Sequence, residues 1–172
     1  MPRMILAATV ATFAFAGAAL GETAELPELP AAVKPGALKP YLAVPAKGVQ
    51  IYVCSKTDAG AYAWTFKAPE AELSDGAGGR IGKHYGGPSW EGSDGGKVVG
   101  AVKASAAAPA ANAVAWLLLD IKSREGSGQF TQAAGILRVN TVGGQAPAAG
   151  CDEARAGSEL RVPYTATYYF LK

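Results

Sequence analysis

Leu160-Arg161-Val162-Pro163-Tyr164-Thr165-Ala166-Thr167-Tyr168-Tyr169-Phe170-Leu171 is the stretch that decides the fold. β-Branched and aromatic residues dominate it, and such residues suit a pleated, half-buried surface. Tyr164, Ala166, Tyr168 and Phe170 share one face, because successive strand side chains point to opposite sides. The same signature recurs upstream. Val49-Gln50-Ile51-Tyr52-Val53-Cys54 puts Val49, Ile51 and Val53 on one face and Tyr52 and Cys54 on the other. Ala61-Tyr62-Ala63-Trp64-Thr65-Phe66-Lys67 groups Tyr62, Trp64 and Phe66. Asp58-Ala59-Gly60 between them reads as a turn, so the pair predicts a hairpin.

Weaker segments fill in the rest. Pro69 to Leu73 reads as a short turn or strand, and Ser74 to Gly79 as a loop. Arg80 to Tyr85, Lys97 to Ala104 and Ile136 to Thr141 read as strands, with Phe130-Thr131 a further strand candidate. Ser105 to Ala113 is Ala-rich, but Pro109 and Asn112 in its middle favour loop over helix. Ala115-Trp116-Leu117-Leu118-Leu119-Asp120-Ile121 is apolar on both faces, as a strand covered on both sides would be; periodicity alone leaves a short helix open. About seven to nine short strands with Gly/Pro turns predict an all-β domain, an antiparallel sandwich or barrel-like single domain over residues 48–172.

The N-terminus is of another kind. Arg3 supplies a short positive region, Ile5 to Leu20 is apolar and uncharged, and Ala19-Leu20-Gly21 offers small residues for cleavage. Ala16-Gly17-Ala18 is a rival cleavage site. This pattern predicts a secretory signal peptide over residues 1–21 and a secreted or periplasmic protein, with no membrane span in the mature form. Residues 22–47 carry Pro27, Pro30, Pro35, Pro40 and Pro45 at short intervals, which predicts an extended Pro-rich segment. It reads as a spacer, or as a strap over the domain, in preference to a peptide-docking motif.

The whole chain has 16 basic and 14 acidic side chains. This near balance, with no basic cluster, gives no case for a nucleic-acid partner. Cys54 and Cys151 are the two cysteines. In an exported protein an even pair predicts a disulfide, and only one pairing exists; two separate buried thiols are the alternative. There is no CxxC and a single histidine, so a cysteine metal site has little support.

The chemistry-bearing stretch is His84-Tyr85-Gly86-Gly87-Pro88-Ser89-Trp90-Glu91-Gly92-Ser93-Asp94-Gly95-Gly96, which holds the one histidine, a tryptophan and two carboxylates among turn-forming residues. Function concentrates on loops held by a rigid scaffold. His84 with Glu91 or Asp94 offers a metal site with open positions or a His–carboxylate acid/base pair. Glu91 is the better partner, since Pro88 and the glycines before it allow it to fold back toward His84, whereas Asp94 beside Gly95 suits a hairpin turn. The plain alternative is a hydrogen-bonded structural histidine. Gly87-Pro88-Ser89-Trp90-Glu91 departs from G-x-S-x-G at its last position, so Ser89 does not read as a hydrolase nucleophile. Among the aromatics, Trp64 and Trp116 are expected in the core, and Tyr85 and Trp90 are the ligand candidates.

Several motifs occur together in one order. They are Gly48-Val49-Gln50-Ile51-Tyr52 with a cysteine two residues on, Ala68-Pro69-Glu70-Ala71, Gly82-Lys83-His84-Tyr85-Gly86-Gly87-Pro88-Ser89-Trp90-Glu91, Trp116-Leu117-Leu118-Leu119, Arg138-Val139-Asn140-Thr141-Val142-Gly143-Gly144 with Cys151, and Val162 to Phe170. This set, over roughly residues 45–171, resembles the DUF3455 family. The resemblance implies an exported bacterial or fungal protein of uncharacterised function and brings no catalytic residues with it. Some fungal relatives carry a malate dehydrogenase label. In Gly76-Ala77-Gly78-Gly79-Arg80-Ile81-Gly82 the last glycine falls one place late for G-x-G-x-x-G, and neither the preceding strand nor the following helix is there. No nicotinamide cofactor is expected, and no other cofactor is indicated.

The expectation from sequence is therefore small-molecule or glycan binding at the His84–Asp94 loop, through His84, Tyr85, Trp90 and Glu91. The alternatives are a metal-assisted hydrolase using His84, Glu91 and Asp94, and a structural envelope protein.

Overall fold

The computed structural model describes residues 25–172. The expected signal peptide lies outside them. Eight antiparallel strands in one sheet close into a barrel in simple sequential order. They are β1 (Pro40–Lys56), β2 (Tyr62–Ser74), β3 (Arg80–Tyr85), β4 (Ser89–Gly92), β5 (Lys97–Ala106), β6 (Trp116–Glu125), β7 (Gly135–Gly143) and β8 (Glu159–Leu171). β8, the strand clearest in the sequence, closes the barrel by pairing with β1 from Pro40↔Leu171 to Val53↔Glu159. Of the two expected architectures the barrel is the one adopted, and closure leaves the sheet without a terminal edge.

Alternation along the strands sorts the apolar side chains into two clusters. Val44, Leu73, Trp90, Val98, Leu119, Ile136, Tyr168 and Phe170 fill the barrel interior. Phe130, on a short 3-10 turn (Gln129–Gln132), stacks on Phe170 at 4.4 Å and plugs the end where β6 passes to β7. Gly82 makes room for that plug, since a Cβ there would lie 3.1 Å from the Phe130 ring and 2.4 Å from the Glu91 carbonyl. Gly100 does the same for Trp90, with 3.0 Å between its Cβ position and the indole. The second cluster lies outside the barrel: Trp116, Leu118, Leu137, Val139, Tyr169 and Leu171, covered by Val33 with Leu26, Leu29 and Leu38. The Pro-rich segment is thus a strap over one barrel face. The Tyr169 hydroxyl donates to the Glu25 carbonyl at 2.9 Å and ties the strap down near its start.

Four segments differ from the sequence expectation. β1 begins at Pro40, inside the segment expected to be extended linker. Pro45 is tolerated because β2 pairs with β1 only from Ala46 onward, so a missing donor there breaks no second ladder. Pro69 to Leu73, read as a short turn or strand, is strand, but it continues the one that starts at Tyr62, with a bulge opposite Ile51/Tyr52. Ser89–Gly92, expected as loop, is β4, held by pairing on both sides despite weak intrinsic preference. Phe130-Thr131, a strand candidate, is the 3-10 turn.

Cys54 and Cys151 are joined by a disulfide, with Cα atoms 5.3 Å apart. It fastens the long β7–β8 connection to the end of β1. Among the described residues no helix is long and apolar enough to cross a membrane.

Candidate functional site

The hairpin of β3 and β4 is short, and this shapes the barrel wall. β2 pairs with β3 only over Ala71–Ser74, and β5 pairs with β4 only over Lys97–Val99. Above that level the upper halves of β2 and β5 have no strand between them. Only the hairpin tip, Gly86-Gly87-Pro88, reaches in, anchored where the Gly100 amide donates to the Pro88 carbonyl at 2.9 Å. The result is a window in the wall, opening on a cavity of about 290 Å³. Phe66, Pro69 and Val102 form its rim, and His84, Leu117 and Arg138 its floor. Among the described residues, Phe66 and Val102 are two of the three large apolar side chains that stand more than half exposed, at 52% and 56%.

His84 is buried. Across the hairpin it faces Trp90, and its ring stacks on the indole at 4.5 Å. Tyr168 closes the trio at 4.9 Å from His84 and 5.3 Å from Trp90. Nδ1 lies 2.8 Å from the Ser89 carbonyl. A carbonyl only accepts, so Nδ1 carries the proton and Nε2 of the neutral ring is an acceptor. Burial pulls the imidazole pKa down to about 3; the Ser89 hydrogen bond works against this, and the Arg138 charge adds to it. His84 is therefore neutral across the physiological range.

Arg138 comes from β7. Ile136 belongs to the inner cluster and Leu137 and Val139 to the outer one, so alternation turns Arg138 inward. Its Nε and Nη2 donate to the Ala115 carbonyl at 3.1 and 2.8 Å. Its guanidinium also faces the Tyr168 hydroxyl, which lies 3.3 Å from that of Tyr164. Burial raises both tyrosines above their ordinary pKa. None of the ion pairs among the described residues includes Arg138.

The residues expected to act together are separated by the pleat. His84 and Trp90 point inward; Tyr85 and Glu91 are on the outer face. The Tyr85 hydroxyl donates to Glu91 at 2.7 Å, and Lys83 pairs with Glu91 at 3.1 Å. The Tyr85 bond, then Lys83, lowers the Glu91 pKa; the same bond pushes Tyr85 up to about 12. Glu91 does not fold back to His84, because the hairpin register sets it opposite Lys83. Asp94 sits at the other end of the barrel, where it accepts from the Gln129 amide at 2.7 Å and holds the 3-10 turn. The Ser89 hydroxyl donates to the Gly86 carbonyl and is buried. No group of three His, Cys, Asp or Glu converges among the described residues. Trp90 is core, while Trp64, expected in the core, is part-exposed and donates to the Ala149 carbonyl.

A larger and more open groove of about 460 Å³ crosses the outer face of β1, β2 and β3, with Tyr85 in its wall. Most of its charges are engaged across strands: Arg161 with Glu70, Arg80 with Glu72 and Lys83 with Glu91. The window differs in reaching the barrel interior and in presenting a part-buried cation, Arg138, without an acidic partner, where Lys47 of the groove is exposed. Arg138 is not among the residues that the sequence singles out. The one available signal was its place in the alternating run Ile136-Leu137-Arg138-Val139, a charge on the face that carries Ile136.

No curated protein and no solved structure matches this chain. One family does match, over residues 35–172, a span that takes in the end of the strap and all eight strands: the chain belongs to DUF3455, a family described as protein of unknown function.

Proposed function

We propose that this is an exported small-molecule-binding barrel whose ligand enters the window between β2 and β5. The observation that carries the reading is the cavity itself, with an apolar rim at Phe66, Pro69 and Val102 over a polar floor at His84 and Arg138. Concave, mostly apolar sites with a few placed polar groups are the usual form of ligand pockets. At about 290 Å³ the cavity is at the small end of that range, which favours a compact ligand over a glycan. His84 takes part as floor, with its ring orientation fixed by Ser89 and Trp90. Secretion or a periplasmic location is supported by the Cys54–Cys151 bond, since disulfides persist in oxidising compartments.

The test is an amide NMR titration of the folded protein with two neutral probes, 1-octanol and benzyl alcohol. Saturable shifts centred on Gly86, Gly87, Val102 and Leu117 support the reading. Shifts confined to the outer groove around Lys47 and Tyr85, or none, contradict it.

A further inference from the structure

Resting on the window as the binding site, we propose that its ligand is a small organic monocarboxylate, an apolar body against the rim with its carboxylate on Arg138. Three observations carry this.

First, Arg138 is inward-facing and part-buried, and no carboxylate pairs with it among the described residues. A charge withdrawn from water is stabilised by a paired counter-charge. The groups around it supply none. The Ala115 carbonyl and the tyrosine hydroxyls are dipoles, and His84 is a neutral ring. A guanidinium matches a carboxylate in charge and in planar geometry.

Second, the site holds one cation that no carboxylate neutralises among the described residues. Lys67 also lines the cavity, but its ammonium is held by Glu159. One guanidinium balances one negative charge, so a monoanion fits better than a phosphate ester.

Third, the rest of the lining is apolar. Phe66, Pro69, Pro88, Val102 and Leu117 have no side-chain group to hydrogen-bond a polyhydroxylated ligand. They suit a short alkyl chain or a single aromatic ring. The apolar body shields the ion pair from water, and that strengthens it.

The experiment compares octanoate with 1-octanol by calorimetric titration at neutral pH, on wild type and on Arg138→Gln. The expected result is that octanoate binds wild type at least about tenfold more tightly than 1-octanol, as a charge-assisted hydrogen bond would give. Arg138→Gln should remove that advantage, so that octanoate binds this variant no more tightly than 1-octanol does. If the two probes bind wild type equally and Arg138→Gln alters neither, the carboxylate assignment is overturned while the window remains a binding site. If neither probe binds wild type, both fail. Should Arg138→Gln not fold, the octanoate to 1-octanol ratio on wild type decides by itself. Arg138→Lys then adds a second reading: the proposal expects it to keep part of the octanoate preference, and complete loss with 1-octanol binding intact would contradict a charge-based anchor.

Discussion

The imidazole of His84 and the indole of Trp90 stack across the β3–β4 hairpin, ring centroids 4.5 Å apart and planes 21° from parallel. Both rings lie inside the barrel. The pair is therefore a packing unit first, and only its His84 member contributes to the floor of the window.

Trp90→Ala should consequently destabilise the protein as severely as Trp116→Ala, by about 3–5 kcal/mol for each buried tryptophan. Urea unfolding measures both. A loss under about 1 kcal/mol for Trp90→Ala would mean that the indole does not support the core.

His84 makes stability fall with acid. Its folded pKa of about 3 lies below the ordinary value of 6.5, mainly through burial. The unfolded chain therefore takes up a proton between these limits that the native state refuses. Stability contributed by the neutral ring is complete above pH 6.5 and declines toward pH 3, by up to about 1.4 kcal/mol per pH unit. Glu91 and Glu159 are held below their ordinary value, so their contributions are lost only at more acidic pH. Unfolding experiments between pH 6.5 and 4.5 should show this slope in wild type and not in His84→Gln. Equal slopes in the two proteins would contradict the buried neutral ring.

The disulfide spans a sequence separation of 97 residues. Removing a native bridge from a small exported domain typically costs about 2–5 kcal/mol. Cys54→Ala/Cys151→Ala should lose stability in that range by denaturant titration, and mass analysis of untreated wild type should find no free thiol. Free thiols in protein from an oxidising compartment would overturn the bridge.

The strap is part of the fold. Val33 is fully buried against the outer cluster. Val33→Asp should forfeit about 1.5–3 kcal/mol of apolar burial and add the cost of a buried carboxylate. An apolar dye should then bind the uncovered face around Trp116 and Tyr169. An unchanged melting curve would show that residues 25–39 are dispensable.

Most strands were legible because their pattern is local. Tyr164, Ala166, Tyr168 and Phe170 alternate within one strand and do fill the interior together, apart from Phe170 also meeting the Phe130 plug. What stayed hidden depends on distant partners. Nothing near Pro45 shows that β8 will pair with it. Nothing in Ser89–Gly92 shows that strands on both sides will hold it extended. The candidate site suffered most from this. Closeness in sequence grouped His84 with Glu91, but the hairpin register sends them to opposite faces, while Arg138 reaches the floor from a strand far along the chain. The site is a property of where β3 and β4 stop short, and no single stretch encodes that.

The most direct test fills the window. Val102 stands on its rim, 56% exposed, so Val102→Trp adds bulk there without disturbing the core. We measure its affinity for 1-octanol and octanoate beside its melting temperature. Stability should stay within about 0.5 kcal/mol of wild type, as for an ordinary surface change, and both affinities should drop together. Undiminished binding by a stable Val102→Trp protein would contradict the claim that ligand enters between β2 and β5.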